Sequence, residues 1–140
     1  MVFIQESKLE EVNPRVWRFL TGHGQFSGEF VSSVGAAGGL ITLWNEKFFS
    51  FEQKIVANRF MRVVGIIGSR NLRCGFGNIY APNDNTERQA FWAKLGSVIK
   101  NFDIPWCLGG DFNAVRWKKR KLGRSITLHR CPTFLILSTI

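Results

Sequence analysis

Three short stretches of this chain carry residues able to do chemistry. The first is Leu108-Gly109-Gly110-Asp111-Phe112-Asn113. It follows an apolar run over residues 104–108 that is broken by Pro105. Side chains alternate along an extended backbone, so Asp-x-Asn after such a run is expected to put two polar groups on one side. Asp111 offers the hard anionic oxygen that Mg²⁺ prefers. Asn113 offers an amide able to orient a water or a phosphate oxygen. Asp and Asn are also common turn residues, so this stretch is weak on its own. The other two are Gln5-Glu6-Ser7-Lys8-Leu9 and Tyr80-Ala81-Pro82-Asn83, and all three are expected at the C-terminal ends of strands. Ligand sites in α/β proteins favour such ends. Together they hold two carboxylates (Glu6, Asp111) and three neutral hydrogen-bonding groups (Tyr80, Asn83, Asn113). That inventory suits metal-assisted phosphodiester hydrolysis, which needs a Lewis acid, an activated water and donors for developing charge.

The elements that must position these residues can be read from periodicity. Residues 2–4 form a short apolar strand. Residues 8–19 have near-helical spacing, with Pro14 interrupting. Residues 22–28 read as a loop, 30–34 as a strand and 35–39 as a small-residue turn. Further strands are expected at 40–44, 48–57, 59–67 and 72–80. Gly75 and Gly77 within the last of these suggest a bulge or a close backbone approach. A helix opens near residues 83–86, capped through Thr86-x-x-Gln89 or Asp84-x-x-Glu87. Phe91, Leu95, Val98 and Phe102 then mark its buried face. Strands with inserted helices imply a layered α/β or α+β domain rather than a helical bundle.

A chain of 140 residues is at most one domain. Its net charge of +9 is concentrated at one end, since residues 116–140 hold seven of the 19 Lys and Arg residues and no acidic residue. Lys118, Lys119, Arg120 and Lys121 could contact nucleic-acid phosphates or act as a nuclear address, or could simply be a solvated run. The organisation expected is a domain over 1–116 followed by a basic, poorly ordered segment over 117–140. Cys74, Cys107 and Cys131 follow no metal-binding spacing, and the first two read as reduced core residues. His23 and His129 lie apart from the three stretches and read as loop or surface residues. No signal peptide or membrane-length apolar run is evident, so an intracellular protein without membrane partners is expected. Oligomeric state is not legible.

The order of Gln5-Glu6-Ser7-Lys8-Leu9, the stretch from Gly35-Ala36-Ala37-Gly38-Gly39 to Trp44, Asn78-Ile79-Tyr80-Ala81-Pro82-Asn83-Asp84, Arg88-Gln89-Ala90-Phe91-Trp92 and Gly109-Gly110-Asp111-Phe112-Asn113-Ala114-Val115-Arg116 resembles the endonuclease/exonuclease/phosphatase superfamily. More narrowly it resembles the apurinic-type endonuclease domain of plant LINE-like (non-LTR) retrotransposons, over roughly residues 2–116. The resemblance implies a four-layer αββα sandwich, here partial, with two mixed β-sheets. It implies Mg²⁺ or Mn²⁺ as cofactor, DNA as partner, and nicking of target DNA as the activity. Glu6 would be the metal ligand. Tyr80 and Asn83 would hold the phosphate, Asp111 would handle the nucleophilic water, and Asn113 would stabilise the transition state. An upstream asparagine motif and a downstream Ser-Asp-His motif of that group are not matched. The expectation is therefore a fragment truncated at both ends and inactive as it stands. The alternative is a catalytically dead remnant that binds nucleic acid nonspecifically through its basic C-terminal segment.

Overall fold

The computed structural model describes residues 1–22, 24–34, 37–57 and 59–113, together with the backbone of 129–131 and 134–138. Lys118–Lys121 and His23, singled out above, lie outside the described residues.

Two sheets pack face to face. The smaller consists of β1 (Val2–Gln5), β2 (Phe26–Val34) and β3 (Ala37–Asn45) in the order β1-β3-β2. It is antiparallel throughout the described strands, where a mixed sheet was expected. The larger is mixed and runs β4 (Phe49–Ala57), β5 (Phe60–Ile67), β6 (Leu72–Tyr80), β7 (Trp106–Asp111), β9 (Phe134–Ser138), β8 (His129–Cys131). Helix α1 (Pro14–Thr21) lies on the small sheet through Trp17 and Phe30. Helix α2 (Asn85–Lys100) lies on the large one and joins the parallel strands β6 and β7. The layers are therefore helix, sheet, sheet, helix, the α/β sandwich that the motif order implied. Strands β8 and β9 come from the segment set apart above as a basic tail, and β9 pairs in parallel with β7.

Strand parity decides which residues meet. On β5, Phe60, Arg62 and Val64 face α2 while Met61 and Val63 face the small sheet. All five are at most 3% exposed, so this strand is covered on both sides. On β6, Ile79 joins the α2-side core, whereas Cys74, Phe76 and Asn78 face the small sheet. Tyr80 shares their parity. On β7, Trp106 and Leu108 face α2, so Cys107, Gly109 and Asp111 face the other way. Gly75 and Gly77 lie directly against the Trp106 and Leu108 side chains, which is the close approach that the glycines signalled. Burial raises the pKa of the Cys74 and Cys107 thiols, and both are unpaired cysteines.

One helix boundary differs from the periodic reading, and at the other the structure selects one of its two caps. Pro14 begins α1 rather than interrupting a longer helix. Asn13 caps it by accepting from the Arg15 and Val16 amides at 3.0 Å each, and proline suits the first helical position because that N–H needs no partner. Residues 8–13 are therefore not helical. At α2 the cap is Asp84, which accepts from the Glu87 amide at 2.9 Å, and the Thr86 alternative is not used. The other end of α2 is held by a buried cation. Arg62 Nη1 donates to the Val98 carbonyl at 2.9 Å among the rings of Phe60, Phe102 and Trp106. A positive charge there suits the helix dipole, while burial pulls the guanidinium pKa down.

Candidate active site at the strand ends

Parallel pairing of β6 with β7 places Tyr80 directly opposite Asp111, each the last residue of its strand. The Ala81 amide donates to the Asp111 carbonyl at 2.8 Å and extends the pairing past the strand ends. Facing them across the sandwich, β1 ends at Gln5, and Glu6 follows immediately. The Tyr80 hydroxyl donates to Glu6 Oε1. The Glu6 and Asp111 carboxylates thus flank one phenol, although the two lie 105 residues apart in sequence.

Glu6 is held in place from both sides. Its backbone is left-handed (φ 51°), as is that of Lys8 (φ 55°). Such a conformation costs a non-glycine residue about 1–2 kcal/mol and is kept only where its surroundings enforce it. The enforcing contacts come from the start of β3. The Ser7 and Lys8 amides donate to the Gly39 and Gly38 carbonyls at 3.2 and 3.1 Å. Gly39 has φ 87°, and a β-carbon there would collide with Ser7 Oγ, so only glycine lets the loop dock. The small-residue turn is therefore the seat of the Glu6 loop.

On the other side stands Asn78, fully buried on β6. Its Oδ1 accepts from Gln5 Nε2 at 2.6 Å. Its Nδ2 donates to the Ile41 carbonyl at 2.9 Å, the Ile4 carbonyl at 3.2 Å and Thr42 Oγ1 at 3.3 Å. One amide thereby binds β6 to both β1 and β3, two residues before Tyr80 and beside the residue that precedes Glu6.

Gly110 shapes the Asp111 end. Its φ of 136° is open to glycine, and a β-carbon would fall on the Ile79 carbonyl of the neighbouring strand. Phe112 is buried and stacks on Trp92 of α2, which anchors the chain just past Asp111. Asn113 does not continue the strand alternation expected for Asp-x-Asn. The strand stops at Asp111, and Asn113 turns back in a left-handed conformation (φ 45°). Its amide donates to Asp111 Oδ1 at 2.9 Å, an Asx turn. Its side-chain Nδ2 donates to the Ala81 carbonyl at 2.6 Å. Asn113 is still brought to the Tyr80–Asp111 edge, through a turn rather than a shared strand face.

Asn83 is the site residue least drawn in. It is exposed, and among the described residues its side chain makes no hydrogen bond. Its carbonyl and that of Pro82 accept from Arg88 Nη1 at 2.8 and 3.3 Å, which pins the loop leading to α2.

The phenol of Tyr80 is held neutral. Its pKa is raised above 10.0 chiefly by donation to Glu6, with burial and the negative charges of Glu6 and Asp111 adding to the rise. Arg59 opposes them. Its guanidinium carbon lies 5.8 Å from the centre of the Tyr80 ring, and its carbonyl accepts from the Tyr80 amide at 2.9 Å. The sequence reading overlooked Arg59 and Asn78. A polar residue at the parity of Tyr80 in an apolar strand was a usable signal for Asn78. Arg59 had none, because its place depends on the β5–β6 register.

A model of the endonuclease/exonuclease/phosphatase family matches residues 1–134. The chain belongs to this family. Enzymes of the family are hydrolases that include nucleases and are generally dependent on a divalent metal. The fold is similar to that of the human Nocturnin catalytic domain with bound sulfate anion, with a TM-score of 0.54 and 12% identity over 81% of this chain and 51% of that one. The chain thus spans about half the length of that domain. None of the curated proteins compared with the chain matches it. Among the described residues, no helix is long and apolar enough to cross a membrane.

The donor set can be tested against the family's metal. Among the described residues no three His, Cys, Asp or Glu side chains cluster as a closed cage. Mg²⁺ does not need one, since it keeps several waters and binds through one or two carboxylates together with substrate phosphates. Glu6 and Asp111, hard oxygen donors on either side of Tyr80, fit that demand.

Proposed function

We propose that this chain carries the site of a divalent-metal-dependent phosphodiesterase acting on DNA, of the kind found in plant LINE-like retrotransposons. The observation that carries the reading is the convergence of Glu6, Tyr80 and Asp111 at one edge of the sandwich, with Asn113 turned in beside them. In this reading Glu6 would hold Mg²⁺ or Mn²⁺, and the ion when bound would supply Lewis-acid activation of the phosphoryl oxygen. Tyr80, kept protonated by its surroundings, would donate a hydrogen bond from its hydroxyl to a non-bridging phosphate oxygen. Asp111 accepts a hydrogen bond from the attacking water and orients it for in-line displacement. The Asn113 amide and Asn83 contribute neutral donors to the charge that grows on the phosphate. The motif order from Gln5-Glu6 to Gly110-Asp111-Phe112-Asn113 supports the retrotransposon assignment. The bound sulfate of the human Nocturnin domain supports an anion site on this fold.

A second reading, binding of nucleic acid without hydrolysis, is favoured by one observation. The sequence carries four consecutive basic residues, Lys118, Lys119, Arg120 and Lys121, which could contact backbone phosphates without any catalytic group. Nicking of supercoiled plasmid in Mg²⁺ or Mn²⁺ separates the two. Hydrolysis that disappears in both Glu6→Gln and Asp111→Asn supports the enzyme. A folded wild-type chain that shifts plasmid mobility in a gel but never nicks it selects the binding reading.

A further inference from the structure

Glu6 and Asp111 make this edge anionic, and Tyr80 and Asn113 are neutral. A phosphodiester is itself an anion, and beyond any metal held by the carboxylates a fixed cation of the protein would help to receive one. Arg59 is placed to serve. It lies in the hairpin between β4 and β5, where the β5–β6 ladder ends, and its own carbonyl closes that ladder on the Tyr80 amide at 2.9 Å. Its guanidinium rests over the Tyr80 ring at 5.8 Å, which limits its motion without consuming its donors. The residue is exposed, and among the described residues the guanidinium forms no ion pair. Its charge reaches the phenol, since it opposes the upward pull of Glu6 on the Tyr80 pKa.

Its backbone marks the position further. Arg59 has φ 71°, a left-handed conformation unusual for a long side chain. Another cation, on the helix that follows the Tyr80 loop, is already committed. Arg88 donates to the Pro82 and Asn83 carbonyls and to Asn85 Oδ1. Of these two, only Arg59 has side-chain donors without a hydrogen-bond partner among the described residues. Its planar fork matches two oxygens of one phosphate.

We infer that Arg59 is a substrate-binding residue of this site, grasping a backbone phosphate of the nucleic acid while the Tyr80 ring holds the guanidinium in position. This rests on the phosphodiesterase reading above for the identity of the ligand, but not for the contact itself.

The test uses the whole chain with Arg59→Gly and Arg59→Lys. Glycine accepts the left-handed backbone, so the charge is removed without straining the hairpin, and circular dichroism checks that the fold is kept. A fluorescent 20-base-pair duplex is titrated without metal over a range of salt, and plasmid nicking is measured in Mg²⁺. Expected for Arg59→Gly are a salt slope shallower by about one unit, affinity lower by about tenfold, and nicking slower by about 10–100-fold. Arg59→Lys recovers the slope but only part of the rate, because an ammonium keeps the charge and loses the fork. A slope shallower by about one unit in Arg59→Gly when even the wild type fails to nick upholds the contact and sinks the hydrolase. A folded Arg59→Gly chain with wild-type slope and affinity overturns the inference, whether or not it nicks.

Discussion

Replacing Asn78 by leucine, a side chain of nearly the same shape, removes the polar tie between the sheets without opening a cavity. The amide has two N–H donors serving three acceptors and one oxygen that accepts from Gln5, so about three net hydrogen bonds are lost. Each is worth about 1 kcal/mol, and leaving buried partners unsatisfied adds about 1–3 kcal/mol. The carbonyls of Ile4 and Ile41 have their own sheet neighbours and relax in part, so we expect a total of about 3–5 kcal/mol. That is a large share of the roughly 5–15 kcal/mol available to a domain. It corresponds to a fall in Tm of about 10–20 °C at this chain length. The assay is urea unfolding followed by tryptophan fluorescence, with the m-value required to stay constant so that the change reports stability alone. Gln5→Leu serves as the partner variant and loses one of the same bonds, about 1 kcal/mol. In the double variant the two losses overlap, so the cycle shows a coupling of about 1 kcal/mol. A cost below about 1 kcal/mol for Asn78→Leu, or a coupling of zero, would refute the claim that this amide ties β1 to β6. Site function provides a second readout, because slackening β1 carries Glu6 away from Tyr80 and weakens metal-dependent nicking beyond what lost stability explains.

Three further outcomes follow from the same geometry. Glu6→Gly relieves a left-handed backbone (φ 51°) while adding unfolded-state freedom, so urea unfolding should register a change within about 1 kcal/mol, and metal-dependent nicking should vanish. Gly110→Ala forces a β-carbon onto the Ile79 carbonyl and should destabilise by about 2 kcal/mol or more, read as a lower urea midpoint; a neutral result would mean that the strand end is laxer than its φ of 136° implies. Tyr80 is the single tyrosine of the chain, so tyrosinate absorbance reports it alone. Its folded pKa lies above the unfolded value near 10.0, so the folded state keeps its proton while the unfolded chain loses it. The resulting contribution to stability is whole below pH 10 and declines as pH rises through the folded pKa. Glu6→Ala should bring the titration back toward the ordinary tyrosine range, and an unmoved midpoint would remove Glu6 as the chief cause.

Much of this protein was written locally. Alternating and β-branched runs announced the strands, because burial on one or two faces demands that pattern wherever the strand ends up. Phe91 and Leu95 announced the buried face of α2 for the same reason, and both are buried. The identities of Glu6, Tyr80, Asp111 and Asn113 as the groups to watch were also legible, since each sits where an apolar run stops. Pro14 was misread because its effect depends on whether a cap precedes it, and Asn13 supplies one.

What the sequence could not state is which strand ends become neighbours. Tyr80 meets Asp111 only because β6 and β7 pair in parallel in one register, and a slip of one residue would turn one of the two to the α2 side and separate them. Glu6 reaches Tyr80 only because the two sheets stack with Asn78 bridging them. Arg59 comes to lie over the Tyr80 ring only because a hairpin closes on the Tyr80 amide. Hydrophobic period sets the face of each residue over a few positions. Contacts across tens of residues depend on register and layer packing, which reside in the folded chain as a whole and not in any window of it.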